Sequence, residues 1–137
     1  MDKKLSIAVN PNIIGNIITM AREFHVKEQV SIPETPLSPT SDWATQVLAD
    51  HQDDPTYNQL KAIIDDLEPD QQVYIVAVMW LGRGDFTIEE WDNALQHAGD
   101  SWNENTANYL LGHPLLSNYL EEGLSLLGYY SEDYETQ

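Results

Sequence analysis

Arg83 and Asp85 stand two residues apart across Gly84, in the stretch Trp80-Leu81-Gly82-Arg83-Gly84-Asp85-Phe86. A guanidinium and a carboxylate so close in a glycine turn can do one of two things. They can close on each other as a structural latch, with Asp85 also able to take amide hydrogens at the start of the next helix. Alternatively, the planar fork of Arg83 can anchor an anionic ligand or a partner peptide, with Trp80 and Trp91 as apolar walls. Arg83 is also the last Lys or Arg of the chain: Gly84 to Gln137 carries eleven Asp or Glu and no further Lys or Arg.

Other chemistry-bearing sets are weaker. Aligning Gly84 with the sixth position of a calcium loop places Phe86, Thr87 and Glu90 acceptably. Positions one, three and five then fall on Met79, Leu81 and Arg83, which offer no carboxylate, so a calcium loop is excluded. His51 with Asp50, Asp53 and Asp54 follows no metal-ligand spacing, and an Asp-rich turn before a helix is more simply a cap. His25, His97 and His113 lack a partner at helical ligand spacing. No serine lies in a GxSxG turn. Glu89 with Glu90, and Glu121 with Glu122, diverge by about 100° around a helix, which suits solvent-facing or capping side chains better than an acid–base pair. These readings predict no catalytic residue, no metal and no cofactor.

The elements that must hold Arg83 and Asp85 read as helices. After Asn10-Pro11, a cap and a first-turn proline, Ile13, Ile14, Ile17, Ile18 and Ala21 follow helical spacing. Pro33, Pro36 and Pro39 recur every three residues in a connector over 31–41, the spacing of one edge of a polyproline II segment. A short helix is expected from Trp43 to about Asp50. Asp54 or Thr56 then opens a helix with Leu60, Ile63, Ile64 and Leu67 on one face. Pro69 fits a first helical position, and residues 71–81 are apolar on every side, which predicts a buried central helix ended by Gly82-Arg83-Gly84. Thr87-Ile88-Glu89-Glu90 has the form of a capping box. The helix it opens carries Ile88, Trp91, Leu95 and Ala98 and is stopped by Gly99. Asn105 or Thr106 opens a short helix through Tyr109 that ends at Gly112. His113-Pro114 begins the last one, with Leu115, Leu116, Tyr119, Leu120, Gly123, Leu124 and Leu127 inward and Gly128 as its stop. An acidic tail follows over 130–137. The expectation is therefore an all-α fold, one domain over 1–137 with six to seven helices around the 71–81 helix.

Bulk properties narrow the function. The chain has 137 residues, enough for one domain with its own core. It has no cysteine, which excludes disulfides and thiolate sites and fits a cytoplasmic protein. No apolar run is long enough for a signal sequence or a membrane span. The formal net charge of −17 disfavours direct binding to nucleic acid or to anionic lipid, and would draw in a basic protein partner.

Taken in order, Leu81-Gly82-Arg83-Gly84-Asp85-Phe86, Glu89-Glu90-Trp91, Tyr109-Leu110-Leu111-Gly112, Pro114-Leu115-Leu116 and Tyr119-Leu120-Glu121-Glu122-Gly123-Leu124 make a combined pattern. It resembles a family of small bacterial proteins labelled domain of unknown function 3775, over roughly Tyr57 to Tyr129. The resemblance implies a small helical bacterial protein and carries no activity. It draws interest to Arg83, Asp85, Trp91 and Tyr109 without giving any of them a role. The leading functional expectation is a cytosolic protein-interaction or regulatory module without catalysis, working through the Gly82–Phe86 turn or the acidic C-terminal half. The alternatives are a small anionic-ligand-binding or hydrolytic protein built on Arg83, and an acidic mimic of nucleic acid.

Overall fold

Every regular element in residues 9–28 and 53–130, the part of the chain that the computed structural model describes, is helical. In order these are α1 (Pro11–Glu28), α2 (Pro55–Asp65), α3 (Pro69–Arg83), a 3-10 turn (Ile88–Glu90), α4 (Trp91–Asp100), α5 (Thr106–Leu111) and α6 (Leu116–Leu126). The protein is all-α, as the periodicity predicts. The connector at 31–41, the helix expected from Trp43 and residues 131–137 of the tail lie outside the described residues.

The helix starts are chemically explicit. The Asn10 Oδ1 accepts from the Asn12 amide at 2.8 Å, with Pro11 in the first turn of α1. Asp54 caps α2 by accepting from the amides of Thr56 (2.7 Å) and Tyr57 (3.3 Å), so this carboxylate serves the backbone. At α3 the Glu68 amide donates to the Gln71 side chain at 2.9 Å, completing a capping box ahead of Pro69.

Helix α3 is the centre of the molecule. Ile75 to Leu81 are all buried, which is why this stretch shows no polar face. It packs against α6 and α4, while α1 packs on α6 and α2, and α2 on α5. Burying side chains of this size contributes about 1.5–3 kcal/mol each. The i, i+3, i+4 stripes behave as predicted: Ile14, Ile17, Ile18 and Ala21 of α1 and Leu60 and Ile64 of α2 are buried.

Several glycines do not do what their place in the sequence suggests. Gly82 and Arg83 are the last helical residues of α3 rather than part of the loop. A Cβ on Gly82 would lie 1.8 Å from the Tyr119 carbonyl oxygen, and one on Gly123 would lie 2.2 Å from that of Val78. These two glycines let the backbones of α3 and α6 touch, so Gly82 is selected by packing and not by turn geometry. Gly84 is the true stop, at φ 93°, with its amide on Leu81 O and the Asp85 amide on Trp80 O. Gly99 does not end α4, which continues to Asp100. Leu115 is the other departure: it is 50% exposed, not inward, because His113 has taken the interior position ahead of α6. Tyr129 remains packed against the core beyond Gly128.

Candidate functional site

The turn after α3 is wound so that Asp85 folds back over the helix end. With Gly84 left-handed, the Asp85 amide returns to Trp80 O at 3.0 Å, closing a Schellman motif. This brings the Asp85 carboxylate to 2.6 Å from Arg83 Nε. The Arg83 side chain is 11% exposed and that of Asp85 26%, so the pair lies at the edge of the interior. A cation in the last turn also faces the negative end of the α3 dipole. Immediately afterwards the predicted capping box forms, the Thr87 amide donating to Glu90 at 2.9 Å. It opens a 3-10 turn first, and α4 begins only at Trp91.

Arg83 has a second anchor, thirty positions further along the chain. Its Nη1 lies 3.1 Å from Nε2 of His113, in the loop between α5 and α6. The other ring nitrogen, Nδ1, is 2.7 Å from the Tyr109 carbonyl. A carbonyl can only accept and a guanidinium can only donate. The ring is therefore the neutral tautomer with its hydrogen on Nδ1, and Nε2 accepts from Arg83. Burial pushes the His113 pKa down to about 4, and the Arg83 charge pushes in the same direction, against the opposing pull of the Tyr109 and Leu110 backbone.

Tyr109 ties this cluster to the core. Its hydroxyl accepts from the Trp80 indole N–H at 3.0 Å and is also hydrogen-bonded by Arg83. Its ring meets His113 edge-on, with centroids 4.8 Å apart. Burial raises the phenol pKa, while the N–H of Trp80 and the Arg83 charge act the other way, and the phenol stays protonated at neutral pH. Trp80 is fully buried, with its ring against Phe86 at 5.9 Å and His97 at 5.3 Å.

Of the five residues singled out from sequence, the structure therefore gathers Trp80, Arg83, Asp85 and Tyr109. Trp91 is placed elsewhere: it is 7% exposed and packs edge-on against Tyr74 on the opposite end of the α3–α4 contact. Both tryptophans expected as pocket walls are thus interior side chains. His113, Phe86 and His97 belong to the cluster but were not among the sequence candidates. The available signal for His113 was its position four residues after Tyr109; a search for metal-ligand spacing does not register a histidine that works by hydrogen bonding. Among the described residues, no group of three or more His, Asp or Glu side chains could hold a metal ion, and no helix is long and apolar enough to cross a membrane.

No curated protein and no solved structure matches this chain. The matched family, described as "Protein of unknown function (DUF3775)", covers residues 57–129, a stretch that runs from α2 through α6 and contains the whole Arg83 cluster. With more than half of its length matched, the chain belongs to that family.

Proposed function

We propose that this domain works by binding a basic protein partner through its carboxylate-rich surface, with Arg83 holding the fold rather than the partner. The observation that carries this reading is the balance of charge on the surface. Over residues 53–130, fourteen Asp and Glu stand against Lys61 and Arg83, and none of the fourteen is buried. Lys61 is paired with Asp65 at 2.6 Å and Arg83 with Asp85 at 2.6 Å, so both cations are neutralised locally. The balance that remains over 53–130 is negative, and Arg22 of α1 is likewise paired, with Glu121, so the net charge favours cations over a Debye length of about 8 Å at physiological salt.

The position of Arg83 supports the second half of the reading. Its fork points at Asp85, His113 and Tyr109, and two of those three belong to other elements of the fold. An arginine so engaged ties α3 to the α5–α6 junction.

The test is an NMR titration of the isotope-labelled protein with a lysine-rich peptide at about 50 and 150 mM salt. The expected result is a saturable set of amide shifts grouped on one carboxylate-bearing face, weakening at the higher salt as electrostatic steering requires. Small non-saturating shifts spread over the whole surface would sink the proposal.

A further inference from the structure

We propose that the Arg83–His113 contact is an acid-release catch, in which proton binding at Nε2 of His113 breaks the bond from Arg83 Nη1 and loosens the turn at 84–86 from the α5–α6 junction. This stands apart from the identity of any partner and rests on the geometry of donors and acceptors.

The His113 ring has both nitrogens committed in opposite senses. Nδ1–H donates to Tyr109 O at 2.7 Å, which leaves Nε2 as the acceptor for Arg83 at 3.1 Å. The ring is 2% exposed, so there is no water shell in which to rotate and exchange those roles. A proton arriving at Nε2 consumes the lone pair that Arg83 uses. It also sets an imidazolium against a guanidinium at hydrogen-bond distance, where the two positive charges repel. One of them must move. The histidine is tethered through Nδ1 to α5, whereas Arg83 sits at the last turn of α3 beside an exposed turn and retains Asp85 as a partner.

The charged and titratable groups around the ring come from three elements. Arg83, with Asp85 behind it, faces it from the end of α3; Tyr109 lies edge-on from α5; and His25 of α1 contributes a further repulsion to the charged form. His25 is itself held against the Leu111 carbonyl at 2.9 Å. Every one of these except Asp85 is neutral or positive near neutral pH. Asp85 is nearer to Arg83 and is engaged there. The surroundings thus keep the catch closed at neutral pH.

The sign of the pH dependence follows. The folded-state value of about 4 lies below the ordinary 6.5, so the unfolded chain takes up the proton first. The contribution of neutral His113 is complete above pH 6.5 and is lost as pH falls from there towards 4, by about tenfold in the folding equilibrium per pH unit.

The experiment follows the side-chain nitrogens of the full chain by NMR from pH 7.5 to about 3, so that the range spans the folded-state value of about 4. In the wild type, His113 should show the Nδ1–H tautomer at pH 7 and take up its second proton only near pH 4. The Arg83 Nη resonances, which report the nitrogen that contacts His113, should then move with the same midpoint as the His113 ring. The variant His113→Gln, which keeps a neutral acceptor towards Arg83 but cannot take up the proton, should lack that transition in the Arg83 Nη resonances. An Arg83 signal that moves identically in His113→Gln, or a His113 ring that titrates near 6.5 without affecting Arg83, would overturn the proposal. Should the variant fail to fold, the wild-type midpoints alone decide the matter, since the proposal requires the two to coincide.

Discussion

Two arginines of this protein form ion pairs of the same length and opposite character. Arg22 of α1 meets Glu121 of α6 at 2.6 Å, across ninety-nine positions of sequence, with side chains 48% and 40% exposed. Arg83 meets Asp85 at 2.6 Å, across two positions, with side chains 11% and 26% exposed. By separation in sequence the first looks the more important, since it bridges two helices. By physical chemistry the order is reversed. An exposed pair exchanges hydration for a weak attraction in water and contributes about 0–1 kcal/mol. Arg83 is largely withdrawn from water and serves His113 and Tyr109 as well as Asp85. The length of an ion pair says little; the number of buried partners that lose their donor when it is removed says more.

The largest effect should come from Arg83→Ala. It leaves the Asp85 carboxylate without its partner and removes a donor from Nε2 of His113 and from the Tyr109 hydroxyl. Orphaned groups of this kind cost roughly 1–3 kcal/mol each when buried, so a total loss of about 2–4 kcal/mol is expected from urea unfolding. A change within about 0.5 kcal/mol of zero, the range of ordinary surface substitutions, would break the comparison. It would also reopen the reading of Arg83 as a ligand anchor. A smaller loss, about 1 kcal/mol, is expected for Asp85→Asn, which keeps an acceptor near Arg83 but removes the charge. If Asp85→Asn were as damaging as Arg83→Ala, the pair itself would be the whole of the latch, and His113 and Tyr109 would be bystanders.

How far these differences are legible in the sequence depends on the scale of the interaction. The all-α fold was legible because it rests on local rules: a capping Asp54, first-turn prolines at 55 and 69, and apolar periodicity in α1 and α2. The buried centre was legible because Ile75 to Leu81 has no polar side to turn outward. The pairing of Arg83 with Asp85 was one of two readings of a two-residue spacing. What could not be read is what arrives from a distance. Gly82 looks like the start of a loop, and its role becomes visible only when the Tyr119 carbonyl stands where its Cβ would be. His113, thirty positions after Arg83, looks like an isolated histidine before a proline. Trp91 and Trp80 are equally aromatic in the sequence, and only the winding of the 3-10 turn and α4 sends one to Tyr74 and leaves the other beside Tyr109.

The smallest expected effect sharpens the comparison most. Arg22→Ala and Glu121→Gln, singly and together, form a double-mutant cycle whose coupling energy should be under about 0.5 kcal/mol. That value should fall towards zero in 1 M salt, where the Debye length is about 3 Å and mobile ions reach both side chains. The same cycle on Arg83 and Asp85 should return a larger coupling that keeps more of its value at high salt, because Arg83 is largely withdrawn from water and only the Asp85 end is open to counterions. Salt separates the two pairs more cleanly than stability does, since truncating either arginine also removes packing of its aliphatic stem. If both couplings decayed alike with salt, burial would not be what distinguishes them, and the turn after α3 would be held by its backbone hydrogen bonds alone.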